Sequence, residues 1–235
     1  MKLNLLCSLA LAGLILSGCA GAQSTAPPTA TPEIVTGTVI TLPAPRLSSE
    51  VSLEETLHQR RSVRDYSNEP LTLAEVSQLL WAAEGVTAEW GGRTAPSAGA
   101  LYPLEVYVIA GNVDKLAPGV YKYRPDGHAL VQLGDEDVRV ELAEAALDQT
   151  WVEDGAIDIV ISAVYERTTT KYGDRGVRYV HMEAGHAAQN ICLQATALGL
   201  GVVTVGAFDD DQVKDVVGML ENEFPLYVIP VGRKS

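Results

Sequence analysis

Apolar residues recur at helical spacing through residues 73–83, where Leu73, Val76, Leu79, Leu80 and Ala83 make one face. Thr72-Leu73-Ala74-Glu75 in front of that face is a capping box, and Gly85 closes the segment. A shorter helix is predicted from Ser52-Leu53-Glu54-Glu55, again a capping-box pattern, and it delivers Arg60 and Arg61 at its end. Residues 157–164 are nearly all apolar, which predicts a central strand buried on both faces. Residues 104–110, 120–123 and 129–133 also read as strands, the last two flanking the hairpin signal Pro125-Asp126-Gly127. Helices are expected at 138–147 and 210–217, and strands at 202–205 and 226–231. The longest helix, 177–198, is ended by Gly199 and carries the small residues Ala184, Gly185, Ala187, Ala188 and Ala195, which allow close approach of another helix. Helices first, then strands interleaved with helices and a hairpin, predict a layered α+β domain.

The first 49 residues follow none of these periods. Lys2 precedes an apolar run that ends in Leu16-Ser17-Gly18-Cys19, too short to span a bilayer as a stable helix. A basic start, an apolar core and small residues before the cut make residues 1–18 a secretory signal peptide. The Leu-Ser-Gly-Cys ending resembles a bacterial lipobox, in which Cys19 is lipidated and becomes the first mature residue; an ordinary secretory signal with an incidental cysteine is the alternative. Residues 19–49, rich in Ala, Thr, Pro, Gly and Ser, read as a lipidated cysteine and a flexible tether. The expected location is therefore exported and lipid-anchored to the cell envelope membrane. Residues 50–235 have the size of one domain.

Charge changes the picture in one place. The chain has a formal net charge of -13, yet Arg60-Arg61-Ser62-Val63-Arg64 concentrates three guanidiniums and a hydroxyl in one or two turns. Guanidinium is planar, permanently charged and forked, which suits phosphate. Cations at a helix C-terminus are also favoured by the macrodipole, so both readings stand at this point. The acidity, with no broad basic face, argues against a nucleic-acid partner. No His or Cys spacing suggests a metal, and Cys192 reads as a small buried hydrophobe.

Three further segments could meet a ligand. Arg93-Thr94-Ala95-Pro96-Ser97-Ala98-Gly99-Ala100 lets backbone approach a flat molecule unobstructed, or is a plain surface loop. The strand leading to Val205-Gly206, followed by Asp209-Asp210, looks like a strand-to-helix turn whose amides face a ligand. Arg233 and Lys234 put two cations at the end of the last strand.

Taken together and in this order, Arg-Arg-Ser-Val-Arg-Asp-Tyr at 60–66, Ala-Pro-Ser-Ala-Gly-Ala-Leu-Tyr-Pro at 95–103 and Ile-Pro-Val-Gly-Arg at 229–233 resemble the nitroreductase-like flavoproteins, within them the SagB/ThcOx-type dehydrogenases. The resemblance covers residues 53–234. It implies a layered α/β/α fold around a mostly antiparallel sheet, and FMN held at the interface of a homodimer. Arg60, Arg61, Ser62, Arg64 and Arg233 would grip the phosphate and ribityl chain. Pro96, Ser97 and Ala98 would pack along the isoalloxazine from the other subunit, with Val205 and Gly206 near the ring. The small-residue helix would form the subunit interface. Azoline-oxidising members use a Lys-Tyr pair near the flavin for proton transfer, and Lys171-Tyr172 occupies the comparable stretch; a solvated lysine in a polar loop is the alternative.

Two departures bear on activity. Many classical nitroreductases carry an Asn after Pro-Ser, whereas here Ala98-Gly99-Ala100 follows, which weighs against generic NAD(P)H:nitroarene chemistry. Relatives with a C-terminal arm wrap the partner subunit, whereas this sequence ends at Ser235 and leaves dimerisation to helix packing. The expectation is an FMN-dependent oxidoreductase of SagB/ThcOx type that takes two electrons from a small-molecule or peptide substrate. The rivals are an NAD(P)H-dependent nitroreductase and a non-catalytic flavin-binding lipoprotein.

Overall fold

A computed structural model describes residues 37–235. The expected signal peptide and Cys19 lie outside them. In chain order the elements are β1 (Val39–Thr41), α1 (Leu53–Gln59), β2 (Tyr66–Ser67), β3 (Leu71–Thr72), α2 (Leu73–Glu84), β4 (Leu104–Ala110), β5 (Val113–Asp114), β6 (Gly119–Arg124), β7 (Ala129–Gly134), α3 (Arg139–Ala145), α4 (Thr150–Asp154), β8 (Ile157–Ala163), α5 (Glu166–Tyr172), α6 (Arg175–Ala197), β9 (Leu200–Val202), α7 (Asp210–Val217) and β10 (Phe224–Lys234). The main sheet runs β1-β7-β6-β4-β8-β10-β2, with β9 also on β10, and every pairing in it is antiparallel. β3 and β5 form a separate parallel pair.

The all-apolar run became β8 because both faces of the sheet are covered. Ile157, Ile159 and Ile161 face α2 and α6, packing with Leu79, Leu80, Val180, Ala187 and Ile191. Val160 points the other way, into a second core with Leu142, Val152, Val213 and Val217 of α3, α4 and α7. Successive side chains alternate across a strand, so a strand buried on both sides loses its period of two and reads as a block. The result is an α/β/α sandwich with an antiparallel centre, as expected. Full burial of each large apolar side chain contributes ~1.5–3 kcal/mol, so β8 anchors both cores.

Local chemistry sets the helix starts. Thr72 caps α2 by accepting from the Glu75 N–H, and the Glu75 carboxylate returns a bond from the Thr72 N–H at 2.8 Å. At α1 only half of the motif forms: Ser52 accepts from the Glu55 N–H at 3.1 Å.

Two expectations need correction. The tether was expected to reach residue 49, but β1 pairs with β7 and Leu42 is buried. The Ser77 hydroxyl donates to the Pro43 carbonyl at 2.6 Å, and Gln78 bonds both the N–H and the carbonyl of Arg46. β7 offers an open edge, and a Pro- and Thr-rich segment can fill it without needing a period of its own. The second correction falls on the alternative reading of Lys171 as a solvated residue of a polar loop: it and Tyr172 lie in the last turn of α5. Three consecutive threonines hide that helix, which forms by packing on α6.

Candidate functional site

The arginine cluster begins where α1 stops. Arg60 is the C-cap, its N–H donating to the Thr56 carbonyl at 2.8 Å. The chain then crosses the ends of β9 and β10. Val63 N–H donates to the Val202 carbonyl at 3.0 Å, and the Tyr66 hydroxyl bonds the carbonyls of Val63 and Pro230 at 2.8 and 3.2 Å. Tyr66 lies so close to Gly201 and Gly232 that a Cβ at either would stand 3.0 or 2.9 Å from its ring. Those glycines therefore serve close packing of this loop.

The guanidiniums then divide. Arg61 folds back on its helix, donating to the carbonyls of His58 and Arg60 at 2.9 and 2.7 Å, which is the C-terminal cap reading. Arg64 is exposed and lies over the Trp151 ring at 5.3 Å. Arg60 is half-buried, and its charge draws down the Cys192 thiol pKa, which burial nevertheless raises. Ser62 is exposed. Among the described residues no carboxylate makes a salt bridge with Arg60, Arg61 or Arg64. In an acidic chain, guanidiniums left without carboxylates fit a phosphate group. Arg233 differs: two of its nitrogens hold Glu75 in a bidentate pair at 2.7 and 2.9 Å. Its role toward a phosphate would require sharing or exchange with that carboxylate.

Val205 is a core residue, 4% exposed, and exchanges both backbone bonds with Val228 at 2.8 and 3.0 Å. It has no backbone N–H left for a ligand. Gly206, next to it, is exposed and faces open space, so a flat ligand could approach its backbone.

The Pro96 loop is the most constrained segment of the site. Ala95 is buried, Pro96 is exposed, and Ala98–Ala100 forms a single turn in which Gly99 has φ 67°. Ala100 (φ 54°) and Tyr102 (φ 46°) are also left-handed, an uncommon conformation for residues with a Cβ. Several contacts hold it. Ser97 Oγ accepts from the Tyr102 N–H at 2.9 Å, and Arg167 Nη1 donates to the Tyr102 carbonyl at 3.1 Å. Arg93 lies over the Tyr102 ring at 4.4 Å. Strained backbone held by many partners is typical of functional loops.

Lys171 and Tyr172, 72 and 73 positions after Gly99 in sequence, converge on it. A Cβ at Gly99 would stand 2.7 Å from the Tyr172 hydroxyl and 2.9 Å from the Lys171 ammonium. The ammonium lies over the Tyr172 ring at 5.4 Å, and that ring meets Tyr179 edge-on at 5.2 Å. Arg167, one turn before Lys171, is tied to Glu105 at 2.5 Å, which locks α5 to β4.

Sequence reasoning did not single out two buried acids here. Glu84 is inaccessible and pairs with Arg93 at 3.0 Å, its pKa pushed up to about 7, chiefly by burial. Glu183 is 2% exposed, its Oε1 has no hydrogen-bond partner among the described residues, and burial pushes its pKa up to about 8. The available signal was position: Glu183 stands three residues after Val180 and one before Ala184, on the buried face of α6. Among the described residues no group of three or more His, Cys, Asp and Glu could hold a metal ion, and no helix is long and apolar enough to cross a membrane.

Comparison with known proteins agrees with this geometry. The model of the nitroreductase family matches residues 57–233. A Methanocaldococcus jannaschii protein named as a nitroreductase is 54% identical over 185 residues, covering 79% of this chain and 92% of that one. The trifolitoxin operon protein TfxC of Rhizobium leguminosarum is 26% identical over 84% of this chain and 59% of its own length. The NADPH-dependent FMN reductase of Bacillus subtilis is 26% identical over 77% of this chain and 65% of its own. Among solved structures, a Ralstonia eutropha protein described as a nitroreductase matches with a TM-score of 0.72 and 32% identity over 84% of this chain and 90% of that one. One from Anabaena variabilis, described likewise, gives 0.75 and 34% over 85% of this chain and 42% of that one.

Proposed function

The chain belongs to the nitroreductase family of oxidoreductases, and from that we propose that it is an FMN-dependent enzyme of the SagB/ThcOx type, taking two electrons from a small molecule or peptide. The observation that carries the proposal is the convergence of the Lys171 ammonium and Tyr172 hydroxyl on Gly99. Two polar groups against the loop expected beside a flavin suit a reaction in which a substrate proton leaves with a hydride. The name of the Bacillus subtilis FMN reductase supports FMN.

Bound FMN would supply the two-electron acceptor. Arg60 and Arg64 would hold its phosphate, with Arg61 turned toward the helix end and Arg233 shared with Glu75. The backbone of Ser97–Gly99 and Gly206 leaves room for a flat ring. Lys171 Nζ in its amine form or Tyr172 Oη as phenolate would receive the substrate proton, and Arg167 fixes the helix that carries both. A homodimer completes the site by bringing the loop of one subunit to the arginines of the other. Export and lipidation at Cys19 would place the domain at the cell envelope, away from cytosolic NAD(P)H, which favours an oxidase or dehydrogenase over a reductase.

The visible absorption spectrum of residues 20–235, before and after adding FMN, tests the cofactor. A bound-flavin spectrum at about one FMN per chain is expected. A colourless protein indifferent to FMN would overturn the proposal. Rapid flavin reduction by NADPH would replace the oxidase with a classical reductase. Cys19→Ala is expected to move the protein from the membrane to the soluble fraction, and unchanged partitioning would remove the anchor.

A further inference from the structure

Four charged side chains run in line along one end of the main sheet. Glu223, 1% exposed just ahead of β10, accepts from the Lys122 ammonium of β6 at 2.8 Å. That ammonium also pairs with Glu105 of β4 at 3.3 Å, and Glu105 pairs with Arg167 of α5 at 2.5 Å. Signs alternate along the line, so Lys122 and Glu105 each stand between two charges of opposite sign. The strand register builds this arrangement. Tyr107 lies opposite Lys122 and Glu105 opposite Ser162, and the Tyr107 and Ser162 hydroxyls both donate to Glu223, at 2.5 and 3.1 Å. The Glu223 end is thus fixed from β4, β6 and β8. The line leaves the sheet at Arg167, whose other nitrogen, Nη1, donates to the Tyr102 carbonyl at 3.1 Å. Tyr102 is the left-handed residue three positions after Gly99, and Arg167 stands one turn before Lys171.

Buried ion pairs are weak stabilisers, because desolvation offsets their attraction and apolar residues of similar size often do as well. What they supply is geometry: a guanidinium held at both ends of its planar fork has one position. We propose that Glu105 is a positioning residue: backed by Lys122 and Glu223, it fixes the Arg167 fork, and through it the place at which α5 presents Lys171 and Tyr172 to Gly99. Without the carboxylate, the guanidinium keeps the Tyr102 carbonyl but can swing about that single bond, and α5 with it. The catalytic meaning of this role rests on the proposed flavin reading, but the restraint of α5 does not.

The test is amide hydrogen exchange on ligand-free Glu105→Gln, Arg167→Met and doubly substituted proteins beside wild type, followed by flavin spectra of the same samples. Glu105→Gln is expected to speed exchange in peptides covering 99–103 and 166–173 by about tenfold or more, with peptides of α2 unchanged. Arg167→Met should do the same, and adding Glu105→Gln to it should change neither segment further, since one residue acts through the other. Wild-type exchange in Glu105→Gln, or effects that add in the double variant, would overturn the proposal. On adding FMN, Glu105→Gln should show displaced flavin absorption bands, because Lys171 and Tyr172 have moved. Loosened segments with a wild-type flavin spectrum would confine Glu105 to structure and overturn its positioning role. Failure of wild type itself to bind FMN would sink the cofactor reading, while the exchange comparison still decides the restraint of α5. Should Glu105→Gln not fold, Glu105→Asp keeps the charge but draws it back by one methylene; it is expected to loosen 166–173, and unchanged exchange there would equally overturn the proposal.

Discussion

A Cβ built on Gly99 stands 2.7 Å from the Tyr172 hydroxyl, nearer than packed side chains tolerate. The backbone there has φ 67°, so a side chain is strained as well as crowded. Gly99→Ala is expected to destabilise the protein by about 1–2 kcal/mol and to push Lys171 and Tyr172 away from the loop. Urea unfolding checks the first, and turnover, once a substrate is known, should fall about tenfold or more. Wild-type stability and turnover together would remove this contact from the site.

Arg61 and Arg64 are three residues apart and are expected to behave differently. Arg64→Ala removes an exposed guanidinium with no carboxylate partner among the described residues, and should weaken FMN binding by about tenfold, the scale of one charge-assisted bond. Arg61→Ala removes a cap on α1, and should cost ~0.5 kcal/mol of stability with little change in flavin affinity. Flavin titration followed by absorbance, alongside thermal melts, separates the two. Equal effects on affinity would mean that Arg61 leaves its helix to bind.

Stability should fall as the solution becomes alkaline. Glu183 is pushed up to about 8 and Glu84 to about 7, from an ordinary 4.5, with burial the first cause of each. Such carboxyls bind more protons in the folded chain than in the unfolded one. Their contribution is whole below pH 4.5 and is lost as pH rises through 7 and 8. Within that window each group tilts stability by at most ~1.4 kcal/mol per pH unit. Melting temperatures from pH 5 to about 9 should decline more steeply for wild type than for Glu84→Gln/Glu183→Gln. Parallel profiles would show that neither acid titrates there.

The strand before α1 should matter to folding. A chain beginning at residue 37 is expected to be more stable than one beginning at 50 by about 2–4 kcal/mol, from the buried Leu42 and the bonds of Ser77 and Gln78 to the strap. Gln78→Ala alone should cost about 1–2 kcal/mol, since it frees both backbone groups of Arg46. Denaturant midpoints of the two chains settle the domain boundary; a difference under about 0.5 kcal/mol would return 37–49 to the tether.

Much of the framework was legible because its causes are local. The capping box Thr72–Glu75 spans four residues, and the apolar block 157–163 announces a strand covered on both faces wherever it stands. The hairpin at Pro125-Asp126-Gly127 and the helix ended by Gly199 are similarly short-range. α5 was not legible, because Thr168, Thr169 and Thr170 have weak helix preference and the segment folds on α6. The strap at 39–46 escaped for the same reason: its partners, His128, Ser77 and Gln78, lie tens of residues away.

The sequence by itself determined the layers, the family motifs and the residue types of the site, since periodicity, caps and motif spacing operate within a few positions. Only the tertiary structure decided which groups are free. It tied Arg233 to Glu75, 158 positions earlier, sank Val205 into the core, and set Lys171 and Tyr172 against Gly99. A carboxylate, an ammonium or a guanidinium has the same charge wherever it stands in the chain; its partner, its burial and hence its chemistry are set by groups brought close by the packing of α2, α5 and α6.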